Sequence, residues 1–131
     1  MSDAGGARGI VVAHGTMAEG MVDAVRRIAG DAAEALTPVS NEGTNPDELR
    51  ARIDETAGNQ PVIIFADLQS GSCGLAALAT CRDHASRAVL CGVNLPILLD
   101  FVFHRDMPLN DLVERLMSKG KDAIRPTPGR P

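Results

Sequence analysis

GIVVAHGTMAEG, residues 9–20, changes character at its middle. Gly9–Ala13 is an unbroken, valine-rich apolar run, which predicts a strand covered on both faces, since a half-exposed strand would alternate. After His14-Gly15-Thr16, the residues Met17, Met21, Val22, Val25 and Ile28 recur at helical spacing as far as Gly30, with Thr16 placed to cap that helix. A buried strand therefore hands over to a helix through three residues, one of them a histidine.

The same alternation continues along the chain. Ala35–Val39 is a weaker strand signal. The segment TNPDELRARIDET carries a helix start, with Asn45 as cap, Pro46 in the first turn and two acids after it. Pro61–Ala66 is a second buried strand, Ser72–His84 a helix of small residues, and Ala88–Val93 a further strand. LPILLDFVFHRD, from Leu95 to Asp106, reads as a partly buried helix. PLNDLVERLMSK opens a last one, with Leu109, Leu112, Val113 and Leu116 on one face. Right-handed crossovers turn this order into an α/β, doubly wound, mostly parallel sheet of four to five strands flanked by helices. A fifth, short edge strand has room at Ala123–Arg125, before a Pro-rich tail at 126–131 that reads as a loose end. The domain itself is expected over 1–125.

Composition narrows the function. Three Phe, no Tyr and no Trp leave no aromatic platform for stacked bases or sugars, and a net charge of −4 disfavours a phosphate backbone, so nucleic acid is not an expected partner. The most apolar windows are too short to span a bilayer, and the N-terminus has no signal-peptide pattern, so a cytoplasmic protein without membrane insertion is expected. Cys73, Cys81 and Cys91 show no C-x-x-C spacing and read as small buried thiols of a reducing compartment.

In doubly wound sheets ligands bind beyond the carboxyl ends of the strands. Those ends carry His14-Gly15-Thr16, then Asp67 through Ser72, then Asn94. Alone, His14 reads equally well as a core or solvated histidine, and Asp67 as a turn residue. Together, a carboxylate holding one imidazole nitrogen would leave the other free to attack. QSGS then opens a helix near Ser72, where unpaired N–H groups and the helix dipole favour an anion, although Ser72 as a plain N-cap fits the same residues. A histidine, an aspartate and a phosphate cradle at one edge suit a histidine that takes up and passes on a phosphoryl group.

Other constellations compete. SGSCG, residues 70–74, is similar to the nucleophile elbow of serine hydrolases, with Ser72 followed by Asp100 and His104 in the right order, but Ser70 stands where the first glycine belongs. Cys81, His84 and Cys91 could supply ligands to zinc, though buried thiols explain them as well. A receiver-type domain phosphorylated on Asp67 would want acids, not His14, after the first strand.

IVVAHGTMAEGMVDAV, VIIFADLQSGSCGLAAL and CGVNLPILLDFV resemble the three signature segments of enzyme IIA of the mannose-type phosphotransferase system, in order and spacing over most of the chain. The resemblance implies a phosphocarrier that accepts phosphate from the phosphohistidine of HPr and gives it to a IIB partner. On the matching positions His14 is the phosphorylated residue and Asp67 its orienting partner. The turn Ser70, Gly71, Ser72, with Thr16, holds the phosphoryl oxygens. It further implies a homodimer that exchanges a C-terminal edge strand, which would give Ala123–Arg125 a purpose. No metal or cofactor is implied, and IIB is expected as a separate protein. Leu68, Gln69 and Ser70 depart from the aromatic residue and two glycines that many members carry there. A dihydroxyacetone-kinase type phosphotransferase subunit shares the same His and Asp plan.

Overall fold

The computed structural model describes residues 6–81 and 85–129. Its elements run β1 (Arg8–Ala13), α1 (Met17–Ala29), a 3₁₀ turn (Gly30–Ala35), β2 (Leu36–Ser40), α2 (Pro46–Ala57), β3 (Val62–Ala66), α3 (Ser72–Cys81), β4 (Arg87–Cys91), α4 (Leu95–Val102) and α5 (Leu109–Asp122). All pairings are parallel, in the order β2-β1-β3-β4. The chain leaves β1 in one direction to build β2 and returns to the other side of β1 to build β3 and β4. The reversal falls between β1 and β3, so a crevice opens between their carboxyl ends.

Both faces of the sheet are covered. Val11, Ala13, Ile63 and Phe65 pack with residues of α1, α4 and α5, whereas Ile10, Val12, Val62 and Ile64 pack with residues of α2 and α3. That is why β1 and β3 read as continuous apolar runs rather than alternating ones. The α2 start is built as its sequence indicates. Asn45 accepts from the Glu48 N–H at 2.8 Å, and the Glu48 carboxylate accepts from the Asn45 N–H at 2.9 Å.

Gly9 sits where three large side chains converge. A Cβ there would lie 2.7 Å from Leu36 Cδ2 and 2.8 Å from Phe101 Cε2. Phe65 and Phe101 meet edge to face beside it, centroids 5.2 Å apart. Overpacking of this kind costs about 1–3 kcal/mol. Gly9→Ala is therefore expected to lower the unfolding free energy by that amount, read as a lower urea midpoint at unchanged slope, and an unchanged midpoint would contradict the packing described.

Three expectations need correction. Ala123–Arg125 is not a strand, and the sheet of the described residues has four. The Ala123 N–H still donates to the Lys119 carbonyl and the Ile124 N–H to that of Lys121, so this segment finishes α5 instead of extending along a sheet edge. Thr16 stands at the N-cap position of α1 but makes no side-chain capping bond; the Met17 N–H is taken by the His14 carbonyl. Of the three free cysteines only Cys73 is buried, Cys81 and Cys91 being half-buried.

Candidate functional site

His14 follows the last residue of β1 and Asp67 the last residue of β3, so the switch in strand order sets them side by side. His14 Nδ1 lies 2.7 Å from Asp67 Oδ2, and the same oxygen accepts the His14 backbone N–H at 2.9 Å. The other carboxylate oxygen accepts the Leu68 N–H at 2.9 Å. The Asp67 side chain is 5% exposed and that of His14 44% exposed. The acid is thus part of the scaffold, and the imidazole stands on it facing outward.

The protonation pattern follows from this geometry. Burial pushes the Asp67 carboxyl up, but the hydrogen bonds from the His14 ring, the His14 N–H and the Leu68 N–H outweigh it. Together they hold it below the ordinary carboxylate range. Asp67 is consequently an anion that can only accept, so the Nδ1 it touches carries the proton. In the neutral ring the lone pair is then on Nε2.

The loop after Asp67 closes over that nitrogen. A Cβ on Gly71 would fall 2.9 Å from His14 Cε1 and 3.2 Å from Nε2, so only glycine leaves the ring its place. At the third residue of α3, a Cβ on Gly74 would collide with the carbonyl oxygens of Leu68 and Gln69. The loop is therefore laid directly on the first turn of α3. The Gly71 carbonyl accepts the Leu75 N–H, which makes Gly71 the residue that opens the helix and puts Ser72 inside its first turn. Ser70 and Ser72 are both exposed beside that N-terminus, whose first N–H groups have no carbonyl of the preceding turn to bond. Thr16 is exposed two residues after His14.

Gly71→Ala displaces either the ring or the turn by a few tenths of an ångström or more. Where a reacting atom must be held in line, misplacement by about 1 Å costs about a hundredfold in rate. A His14-dependent reaction should slow by up to about that factor while the circular-dichroism spectrum stays unchanged. Wild-type rates in this variant would mean that the turn does not touch the reacting nitrogen.

Two residues missed from the sequence complete the site. Asn41 follows β2; its Oδ1 accepts the Gly15 N–H at 3.2 Å and its Nδ2 donates to Ser72 Oγ at 3.3 Å. The Ser40 hydroxyl donates to the Gly15 carbonyl at 2.8 Å. The end of β2 thereby fixes the turn after His14 and ties it to the start of α3. Ser40 and Asn41 sit at the same carboxyl edge as His14 and Asp67, and that position was their only signal.

The hydrolase arrangement does not assemble. The two Asp100 oxygens accept from Nε and Nη2 on one edge of the Arg115 guanidinium at 2.7 and 3.0 Å, and the His104 ring contacts the Asp100 carbonyl. The neighbouring Arg105 carbonyl accepts the Ala7 N–H at the start of β1, so this pair lies at the sheet edge opposite Ser72. Burial raises the Asp100 carboxyl, but the Arg115 bond and neighbouring positive charge bring it below its ordinary value, as befits a structural ion pair. Asn94 is likewise structural. Its Oδ1 caps α4 through the Ile97 N–H and its Nδ2 donates to the Gly120 carbonyl. Of the zinc candidates, His84 lies outside the described residues, and the Cys81 thiol donates to the Arg87 carbonyl.

Among the described residues no helix is long and apolar enough to cross a membrane. No curated protein matches the sequence. Solved structures do. EIIA of the phosphotransferase system from Streptococcus agalactiae is 23% identical with a TM-score of 0.85, over 92% of this chain and 97% of that one. The mannose/sorbose specific IIA subunit from Enterococcus faecalis is 25% identical with a TM-score of 0.80, over 92% and 94%. The IIA protein associated with the fucose utilization operon from Streptococcus pneumoniae is 21% identical with a TM-score of 0.76, over 93% and 94%. The EIIA-man family model, described as PTS system fructose IIA component, matches residues 9–117. From β1 into α5, then, this chain belongs to the EIIA-man family and is a IIA component of the phosphotransferase system.

Proposed function

We propose that the protein is a phosphohistidine carrier that receives a phosphoryl group on His14 from phospho-HPr and passes it to a separate IIB protein. The observation that carries this reading is the 2.7 Å contact of His14 Nδ1 with the buried Asp67 side chain, which leaves Nε2 of an exposed ring unengaged by Asp67 and beside the Gly71 turn. The Nε2 lone pair attacks phosphorus in line as the donor's N–P bond breaks, and the electron pair of that bond returns to the donor imidazole. The Nδ1 proton stays on the ring, where the Asp67 carboxylate offsets the positive charge that develops. Gly71 and the first N–H groups of α3 receive the phosphoryl oxygens, with the Ser70, Ser72 and Thr16 hydroxyls at the rim. Transfer to IIB is the same step reversed with a different imidazole or thiol as acceptor. Little covalent work is asked of the protein beyond positioning and charge stabilisation.

The reading places the protein in the cytoplasm, where its phosphoryl donor is found, and as a homodimer. Supporting a dimer, β4 is an outer strand. Beside it runs a groove of about 410 Å³, among whose lining residues are Leu78, Leu90, Met117 and Ile124, the last 79% exposed.

Incubation with phosphoenolpyruvate, enzyme I and HPr, followed by intact mass measurement, tests the function. One acid-labile phosphoryl group per chain is expected. No adduct with several HPr donors, each active toward its own IIA, would overturn the carrier reading.

A further inference from the structure

Cys73 lies beneath the two residues to which phosphoryl transfer is assigned and has no part in it. A ring nitrogen of His14, a carboxylate oxygen of Asp67 and Cys73 Sγ all lie within 4.8 Å of one another. An imidazole, a carboxylate and a thiolate make a borderline-soft donor set, well suited to zinc with a fourth position open to water. A tetrahedral zinc ion, at about 2.0 Å from nitrogen and oxygen and about 2.3 Å from sulfur, holds its donors roughly 3.3–3.6 Å apart. The His14–Asp67 contact at 2.7 Å has to open slightly and the thiol to draw in. The exposed histidine on a strand end supplies that freedom and the entry route, while β3 and the first turn of α3 fix the other two donors.

We propose that His14, Asp67 and Cys73 form a binding site for a thiophilic divalent ion of the zinc class, and that its occupancy blocks phosphoryl uptake. Binding stands on the donor cluster alone; the block rests on His14 being the phosphorylated residue. An ion on Nδ1 displaces Asp67 from the ring, and an ion on Nε2 occupies the attacking atom. In the first case the Nδ1 proton moves to Nε2, and in the second the metal takes the Nε2 lone pair; the thiol proton leaves to solvent in both, so the imidazole no longer presents a lone pair beside Gly71. The carrier would then be silenced reversibly by metal and restored by a chelator.

The test uses the untagged full-length protein with Co²⁺ as the probe, in a thiol-free reductant. One ion per chain is expected, with a sulfur-to-cobalt charge-transfer band. That band should vanish in Cys73→Ser and in Cys73→Ala, which keeps the buried space apolar, and persist in Cys81→Ser and Cys91→Ser. His14→Ala should weaken binding by about tenfold or more. No charge-transfer band in the wild type, or a band that survives loss of Cys73, overturns the site. In a single-turnover assay with purified phospho-HPr, Zn²⁺ should slow transfer to the wild type, and Cys73→Ala should need about tenfold more Zn²⁺ for the same effect. Equal sensitivity overturns the block. Cobalt bound through Cys73 in a protein that takes up no phosphoryl group even without metal would uphold the site and overturn the carrier reading instead.

Discussion

His14→Ala is expected to take up no phosphoryl group under conditions that load the wild type fully. The histidine contributes a nucleophile that no neighbour replaces. Ser70, Ser72 and Thr16 offer only hydroxyls, and no general base among the described residues is paired with them. Ser72 Oγ meets the Asn41 amide, which cannot take a proton. The Cys73 thiol is buried and pushed up to about 11, first by burial and then by the Asp67 charge, so it is protonated at neutral pH and poorly nucleophilic. The substitution removes an exposed side chain at a strand end, and its fold should be preserved. An adduct that persists in this variant would transfer the chemistry to another residue.

Asp67→Asn should slow transfer by about a hundredfold or more. The reason is a count of donors. One Asp67 oxygen accepts two N–H groups from His14 and the other accepts the Leu68 N–H. An asparagine has one acceptor oxygen, so its NH₂ must face either the imidazole or Leu68, leaving two donors opposed at one of these contacts. Loss of the carboxylate also removes the charge that favours the developing imidazolium. The same acid makes a pH-dependent contribution to stability. Its folded value is depressed, so the contribution is complete above the unfolded value near about pH 4 and drains as pH falls through the lower folded value. Acid unfolding of Asp67→Asn should therefore lose part of the wild-type pH dependence in that window. Transfer at the wild-type rate would remove the orienting role.

Much of this site could be read from the residues because the strands are buried on both faces. Val11 and Val12, or Ile63 and Ile64, serve opposite layers, and such strands appear as unbroken apolar runs whose carboxyl ends are easy to locate. His14 and Asp67 were visible as strand-end residues. Their contact was not, because it depends on β3 returning to the side of β1 away from β2, and strand order leaves no local trace. Asn41 escaped notice because Ser40-Asn41-Glu42-Gly43 reads as a turn, and its function is set by what lies across the crevice. Gly71 was expected as part of the turn around the phosphoryl oxygens; the structure gives it a sharper reason, the His14 ring standing where a side chain would be. Ala123–Arg125 differs in the opposite sense, since a short segment before Pro126 resembles an edge strand while, within the single chain, the Ala123 and Ile124 N–H groups still bond back to the end of α5.

The most direct measurement is nitrogen NMR of the His14 ring, with uniform nitrogen-15 labelling, before and after phosphoryl transfer from phospho-HPr. The account predicts a proton on Nδ1 in the unloaded protein, held against Asp67, and a phosphoryl group on Nε2 in the loaded one. A phosphoryl group on Nδ1, the nitrogen that the structure gives to Asp67, would contradict it.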